Sequence, residues 1–71
     1  MEVLSIKKRS QVTFDNLFDA FRLMTREACS KVWINQHVYT ITNPVENVWF
    51  IIACSADGEL EATAKFDKFD M

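Results

Sequence analysis

The sequence has few of the residues that cross-link or punctuate small proteins. Its 71 residues include one glycine, one proline, two cysteines and one histidine. Cys29 and Cys54 are too few for a disulfide scaffold, and they lack the paired spacing of a zinc site. No stretch has the composition of a linker, so residues 1–71 are expected to form one domain without a metal or other cofactor.

Long apolar runs and a strong charge imbalance are also missing. The longest apolar run, Val48–Cys54, has the length of a strand, whereas a membrane-spanning helix needs about 20 residues. Basic residues follow the first apolar residues instead of preceding them, which argues against a signal peptide. The net charge is −2, unlike that of a strongly basic nucleic-acid binder. These features predict a cytoplasmic protein with reduced thiols.

Apolar side chains are abundant by contrast. Hydrophobic residues make up 49% of the chain and aromatic residues 13%, which predicts a folded protein. A chain of this size buries only about 60% of its unfolded surface, so small domains usually need disulfides, a metal or a second subunit. Because the first two are not indicated, we expect self-association.

One helix is predicted over Phe14–Ser30. Thr13 is a suitable N-cap residue, with Val12 and Leu17 spaced as a hydrophobic staple. Apolar residues then recur at intervals of three and four, which is the pattern of one helix face. That predicted stripe comprises Phe14, Leu17, Phe18, Phe21, Met24 and Ala28.

The remaining apolar segments have strand character. Met1–Ile6 opens the chain, and Val32–Thr42 forms one long strand or two short strands broken near Asn35–Gln36. Val48–Cys54 is apolar on both faces, and the Asp57–Gly58 turn joins it to an alternating strand over 59–67. The predicted fold is therefore α+β, with one helix on a mainly antiparallel four-stranded sheet in the order β-α-β-β-β.

The turn at Asp57–Gly58 predicts which residues share a face of the last hairpin. Counting back from it pairs Cys54 with Glu61, and Ile52 with Thr63. The helix side would then receive Tyr39, Ile41, Trp49, Ile51, Ala53, Leu60, Ala62, Ala64 and Phe66. The outer face would receive Val38, Val48, Phe50 and Ile52, with Val32 and Ile34 as further candidates. Because the sequence contains no second helix to cover this face, those residues are the predicted dimer or partner interface.

Residues with catalytic potential are sparse. His37 has no acid or nucleophile close to it in sequence, and no glycine-rich phosphate loop is present. We therefore expect no catalytic residues and no enzymatic activity. A basic set with nearby aromatic residues provides an alternative, a nucleic-acid contact through Lys7, Lys8, Arg9, Arg22 and Arg26.

The leading functional expectation is a small regulatory protein-binding module. It would be a homodimer that inhibits or modulates a larger protein, and short chains without motifs are often regulators, antitoxins or virus-encoded accessory proteins that inhibit a larger enzyme. The alternative is a small regulator that binds RNA or single-stranded DNA through its basic and aromatic residues.

Overall fold

The chain forms one helix and five strands in the computed structural model, which describes residues 1–68. In chain order the elements are β1 (Glu2–Ile6), α1 (Phe14–Arg26), β2 (Lys31–Ile34), β3 (His37–Val45), β4 (Val48–Ser55) and β5 (Leu60–Asp67). All strand pairs are antiparallel, and the sheet order is β1-β5-β4-β3-β2. The predicted four-stranded sheet is wrong, because the order is β-α-β-β-β-β.

The fifth strand arises from a tight turn inside the Val32–Thr42 stretch. Asn35 and Gln36 both have positive φ, at 49° and 68°, which is the backbone of the two-residue hairpin turn that matches strand twist. Ile34 therefore pairs with His37, and Val32 pairs with Tyr39. One continuous strand could not hold two adjacent left-handed residues, so the segment folds back on itself.

The connection from β3 to β4 is short. Strand β3 extends past the predicted end at Thr42, through Pro44 to Val45, and the register shifts between Thr42 and Val45. An irregularity of this kind accommodates a proline, which cannot donate a ladder hydrogen bond. Asn47, with φ of 65°, completes the turn.

The helix begins as predicted and ends earlier. The Thr13 hydroxyl accepts a hydrogen bond from the N–H of Asn16, while the Asn16 side chain accepts one from the N–H of Thr13. Glu27 is the C-cap residue, and Ala28 takes a left-handed φ of 55°. The N–H of Cys29 then donates to the carbonyl of Met24 at 3.0 Å, a closure typical of helix ends. The predicted extension to Ser30 is therefore wrong.

The core lies between α1 and one face of the sheet. Phe21 stacks on Phe66 with ring centroids 4.2 Å apart and meets Trp49 edge-on at 5.6 Å. Three alanines beneath the helix, at 53, 62 and 64, are fully buried and let these rings approach the sheet. The buried apolar residues are Val12, Leu17, Ala20, Phe21, Met24, Tyr39, Ile51, Ala53, Ala62, Ala64 and Phe66. The predicted helix side of the sheet is thus largely confirmed.

Three apolar residues lie on the side opposite to the one expected, and a fourth residue is more exposed than expected. Leu60 was expected in the core but is 53% exposed, because a register shift between Ala53 and Cys54 places it opposite Cys54. Val32 and Ile34 were candidates for the outer face but pack against the core. Phe14, at the first turn of the helix, is 57% exposed.

Candidate functional site

The sheet has one covered face and one open face. Helix α1 packs against β2, β3 and β4 on the covered side. Among residues 1–68, no helix or strand lies over the other side. We call this surface the open face; its apolar members are Trp33, Val38, Val45, Val48, Phe50, Ile52, Cys54 and Leu60.

All four predicted interface residues lie on the open face. Paired residues of adjacent strands share a face, and Val38 pairs with Cys54 while Ile52 pairs with both Thr40 and Thr63. Ile52 is 37% exposed, and the other three predicted residues are half-buried by their neighbours within the sheet. The structure therefore brings Val38, Val48, Phe50 and Ile52 together on one surface.

Sequence reasoning missed the most exposed aromatic residue of this surface. Trp33 pairs with Val38 on the edge strand β2 and is 59% exposed. With Cys54 and Leu60 it extends an apolar row across one end of the open face. The sequence contained a signal for this position: a two-residue turn at Asn35–Gln36, where a break was considered, places Trp33 opposite Val38.

Polar residues frame the apolar part of the open face. Threonines alternate with the apolar positions near the centre, and charges of both signs lie on the flanking strands. The threonines are Thr40, Thr42 and Thr63, and the charged residues are Glu2, Lys31, Lys65 and Asp67. The surface thus has an apolar centre and a charged margin, which is the usual anatomy of a protein interface.

The five basic residues proposed for nucleic-acid contact lie in two separate places. Lys7, Lys8 and Arg9 belong to the turn before α1, whereas Arg22 and Arg26 lie on the exposed side of the helix. The helix rises about 1.5 Å per residue, so Arg22 and Arg26 lie about 12 Å and about 18 Å along its axis from Phe14. Each group also has local contacts: Lys7 pairs with Glu59, Arg26 pairs with Glu27 at 3.2 Å, and Arg22 lies 5.8 Å from the centroid of Phe18. The structure does not bring the two groups together.

His37 belongs to a polar cluster on the covered side. Its Nε2 lies 3.0 Å from Oε2 of Glu61, and its Nδ1 lies 3.0 Å from the carbonyl oxygen of Asn35. The Ser10 hydroxyl donates to the same Glu61 oxygen at 2.8 Å. Ser10 therefore contacts the carboxylate and not the imidazole, so this cluster lacks the serine–histidine contact that would activate a nucleophile.

Glu61 was expected on the outer face, and this prediction was wrong. The register shift that pairs Cys54 with Leu60 leaves Glu61 as the extra residue of a β-bulge, and its carboxylate reaches His37 and Ser10 on the helix side. Bulges redirect side chains in this way. An alternating pattern of residues does not reveal a bulge, which is why counting from the turn misplaced Glu61.

An open cleft of about 440 Å³ lies beside this cluster and is lined by Gln11, Asn16, Asn35, Gln36, His37 and Tyr39. Burial raises the pKa of the Tyr39 phenol above its ordinary value of 10.0, and the negative charge of Glu61 raises this pKa further. The phenol therefore stays protonated at neutral pH and can donate a hydrogen bond.

The cysteines lie on different sides of the protein. Cys29 packs against the core at the end of the helix, whereas Cys54 is on the open face, and both are free thiols. Within residues 1–68, no group of three or more histidine, cysteine or acidic side chains is arranged to hold a metal ion. In the same residues, no helix has both the length and the apolar character needed to cross a membrane.

Comparisons with protein-family models, curated proteins and solved structures give no match.

Proposed function

We propose that the protein is a regulatory protein-binding module that forms a homodimer through its open face. The observation that supports this proposal is the uncovered apolar surface around Ile52 and Trp33, which are 37% and 59% exposed. Exposed apolar patches of several hundred Å² on small proteins usually belong to interfaces. In this proposal the chain acts by binding in the cytoplasm and not by catalysis.

Association would bury apolar surface that is only partly exposed in one subunit. Because three of the four predicted interface side chains are already half-buried, covering four of them contributes about 3–6 kcal/mol before the cost of association. Five strands spaced about 4.8 Å apart and about 20 Å long present an area of about 500 Å² per subunit. The total of about 1,000 Å² is near the lower limit for a specific interface. The proposed dimer is therefore one that dissociates on dilution.

A second copy of the chain fits this surface better than an arbitrary protein. In a twofold dimer the same patch meets itself, so the patch must be complementary to itself in shape and in charge. The open face has Lys31 and Lys65 together with Glu2 and Asp67 on its flanking strands. Two such sheets would pack face to face about 10 Å apart, as in a β-sandwich.

Dimerisation through the open face would leave the helix free to contact a larger protein. The exposed side of α1 carries Asp15, Asp19, Arg22 and Arg26, and charges of both signs favour orientation-specific docking. The proposed role is to inhibit or modulate that larger protein, in the manner of a virus-encoded accessory protein.

Light scattering on two matched variants tests the dimer. Ile52→Asp places a charge on the open face, whereas Phe14→Asp places one at an exposed apolar residue of the helix. We expect Ile52→Asp to reduce the mass to one subunit and Phe14→Asp to leave the dimer intact, with circular dichroism confirming that both variants are folded. Equal masses for the two variants would contradict the proposed interface.

The second candidate function is binding of RNA or single-stranded DNA. It is favoured by one observation: the exposed Trp33 lies on an open antiparallel sheet near Lys31, and sheets of this kind stack bases on aromatic side chains. A labelled oligonucleotide at low salt distinguishes the candidates. Binding that is weakened by both Trp33→Ala and the triple change of Lys7, Lys8 and Arg9 to alanine would favour this function, and unchanged anisotropy would exclude it.

A further inference from the structure

The cleft between the helix N-terminus and the Asn35–Gln36 turn is chemically distinct from the open face. Six residues line it, and four of them are carboxamides: Gln11, Asn16, Asn35 and Gln36. His37 and Tyr39 form the remainder. No lysine, arginine or carboxylate is among these lining residues, and the cleft opens on the helix side of the sheet. A dimer formed through the open face would therefore leave it accessible.

Tyr39 supplies a buried hydrogen-bond donor that has no protein acceptor. The residue is 2% exposed, yet it lines the cleft. Within residues 1–68 every fully buried side-chain polar atom has a hydrogen-bond partner, whereas none of the side-chain hydrogen bonds there uses the phenol oxygen. The hydroxyl is therefore accessible from the cleft, where water or a bound ligand can accept its hydrogen bond.

Asn16 supplies a second donor at the same cleft. Its Oδ1 accepts hydrogen bonds from the N–H and the hydroxyl of Thr13, both at 2.9 Å. The capping contacts thereby fix the orientation of the carboxamide, and they leave its Nδ2 amino group for the cleft. Two residues with donor groups, one at the helix N-terminus and one near the start of strand β3, thus line one cleft.

The surroundings of Tyr39 disfavour an anion as the acceptor. The carboxylate of Glu61 is held nearby by Ser10 and His37. Its negative charge disfavours the ionised phenol, and it would disfavour any other negative charge placed at that hydroxyl in the same way. A neutral acceptor, such as a carbonyl oxygen, avoids this repulsion.

We propose that this cleft binds a neutral amide group of a peptide, with its carbonyl oxygen accepting from the Tyr39 hydroxyl and the Asn16 amino group. Amides present a donor and an acceptor side by side, and the carboxamides of Gln11, Asn35 and Gln36 can pair with both. The cleft volume of about 440 Å³ lies within the range of small-ligand sites. An extended peptide segment of one or two residues is the ligand of matching size.

Nuclear magnetic resonance titration of the full chain tests this proposal. The probe is N-acetylglycinamide, and acetate and uridine are compared at the same ionic strength. We expect saturable shifts at the side-chain amide resonances of Asn16 and Gln36, with millimolar affinity. Tyr39→Phe should weaken binding about fivefold because it removes one hydrogen bond.

A matched control removes a hydroxyl elsewhere. Thr63→Val lies on the open face, where its hydroxyl contacts Ser5, and it should leave the affinity unchanged. Thermal denaturation confirms that Tyr39→Phe is folded. Three results would overturn the proposal. The amide probe could bind Tyr39→Phe as strongly as the natural chain, or acetate or uridine could bind more strongly than the amide. The third such result is the lack of any saturable shift.

Discussion

The two faces of strand β4 differ in what covers them, although both are apolar. Ile51 is fully buried under the helix, whereas its neighbour Ile52 is 37% exposed on the open face. The sequence of β4 is that of a central strand with two covered faces, and the chain provides a helix for one of them. The difference leaves one apolar face without cover from its own chain, and the proposed dimer would supply that cover.

The adjacent isoleucines are expected to show the largest difference between the two faces. Ile51→Ala should lower the free energy of unfolding by about 2–5 kcal/mol, because it opens a cavity in the core. Ile52→Ala should lower it by less than about 1 kcal/mol at low protein concentration, where the dimer is dissociated. Urea denaturation measures both values. If Ile51→Ala does not fold, the same ranking is expected for the milder valine variants, and equal losses would contradict the asymmetry.

Two serine hydroxyls make polar contacts, one on the covered side of the sheet and one on the open face. The Ser10 hydroxyl donates to the half-buried Glu61 on the covered side, whereas the Ser5 hydroxyl contacts Thr63 on the open face. We expect Ser10→Ala to cost about 1–2 kcal/mol, since it leaves a partly buried carboxylate with one donor fewer. Ser5→Ala should cost about 0.5 kcal/mol or less. Thermal denaturation of the two variants side by side decides whether the covered side is the more sensitive one.

One substitution just after the end of helix α1 is expected to stabilise the folded protein. Ala28 has a φ of 55°, a left-handed conformation that glycine adopts without steric cost. Ala28→Gly should therefore raise the free energy of unfolding by about 0.5–1 kcal/mol. The neighbouring change Glu27→Gly is the control, because Glu27 has a right-handed φ of −88° and should lose stability. A loss in both variants would show that Ala28 is not strained.

Tyr39→Phe is expected to change the free energy of unfolding least at neutral pH. A difference from the natural chain should appear only at alkaline pH. Burial, and then the charge of Glu61, raise the pKa of Tyr39 in the folded chain. As pH rises above about 10, the unfolded chain loses the phenol proton first, so the folded state loses stability until its own pKa is reached. Denaturation between pH 8 and 11.5 should show a steeper decline for the natural chain than for Tyr39→Phe. If the free energy of unfolding declined equally in both proteins, the raised pKa of Tyr39 would be contradicted.

Much of the covered face could be predicted because it follows periodic patterns. The helix start at Thr13 and the inward positions of β4 were correct, since capping chemistry and alternation are local signals. The errors occurred where the backbone departs from a regular period. A left-handed pair at Asn35–Gln36 created the fifth strand, and the bulge at Glu61 exchanged the sides of Leu60 and Glu61.

The candidate site was predictable in part for the same reason. Val38, Val48, Phe50 and Ile52 follow from register alone, whereas Trp33 depends on recognising the additional hairpin. The contact between His37 and Glu61 joins residues 24 positions apart, so no local pattern could reveal it. Long-range polar contacts become visible only after the sheet order and the bulge are known.

The proposed function requires that a second copy of the chain covers the open face. Sedimentation equilibrium of the unmodified protein tests this directly. At tens of micromolar the mass should be close to twice the 8.3 kDa of one chain, and it should fall toward one chain on dilution. A mass of one chain at millimolar concentration would contradict the account, because an apolar surface of this size would then remain in water without association.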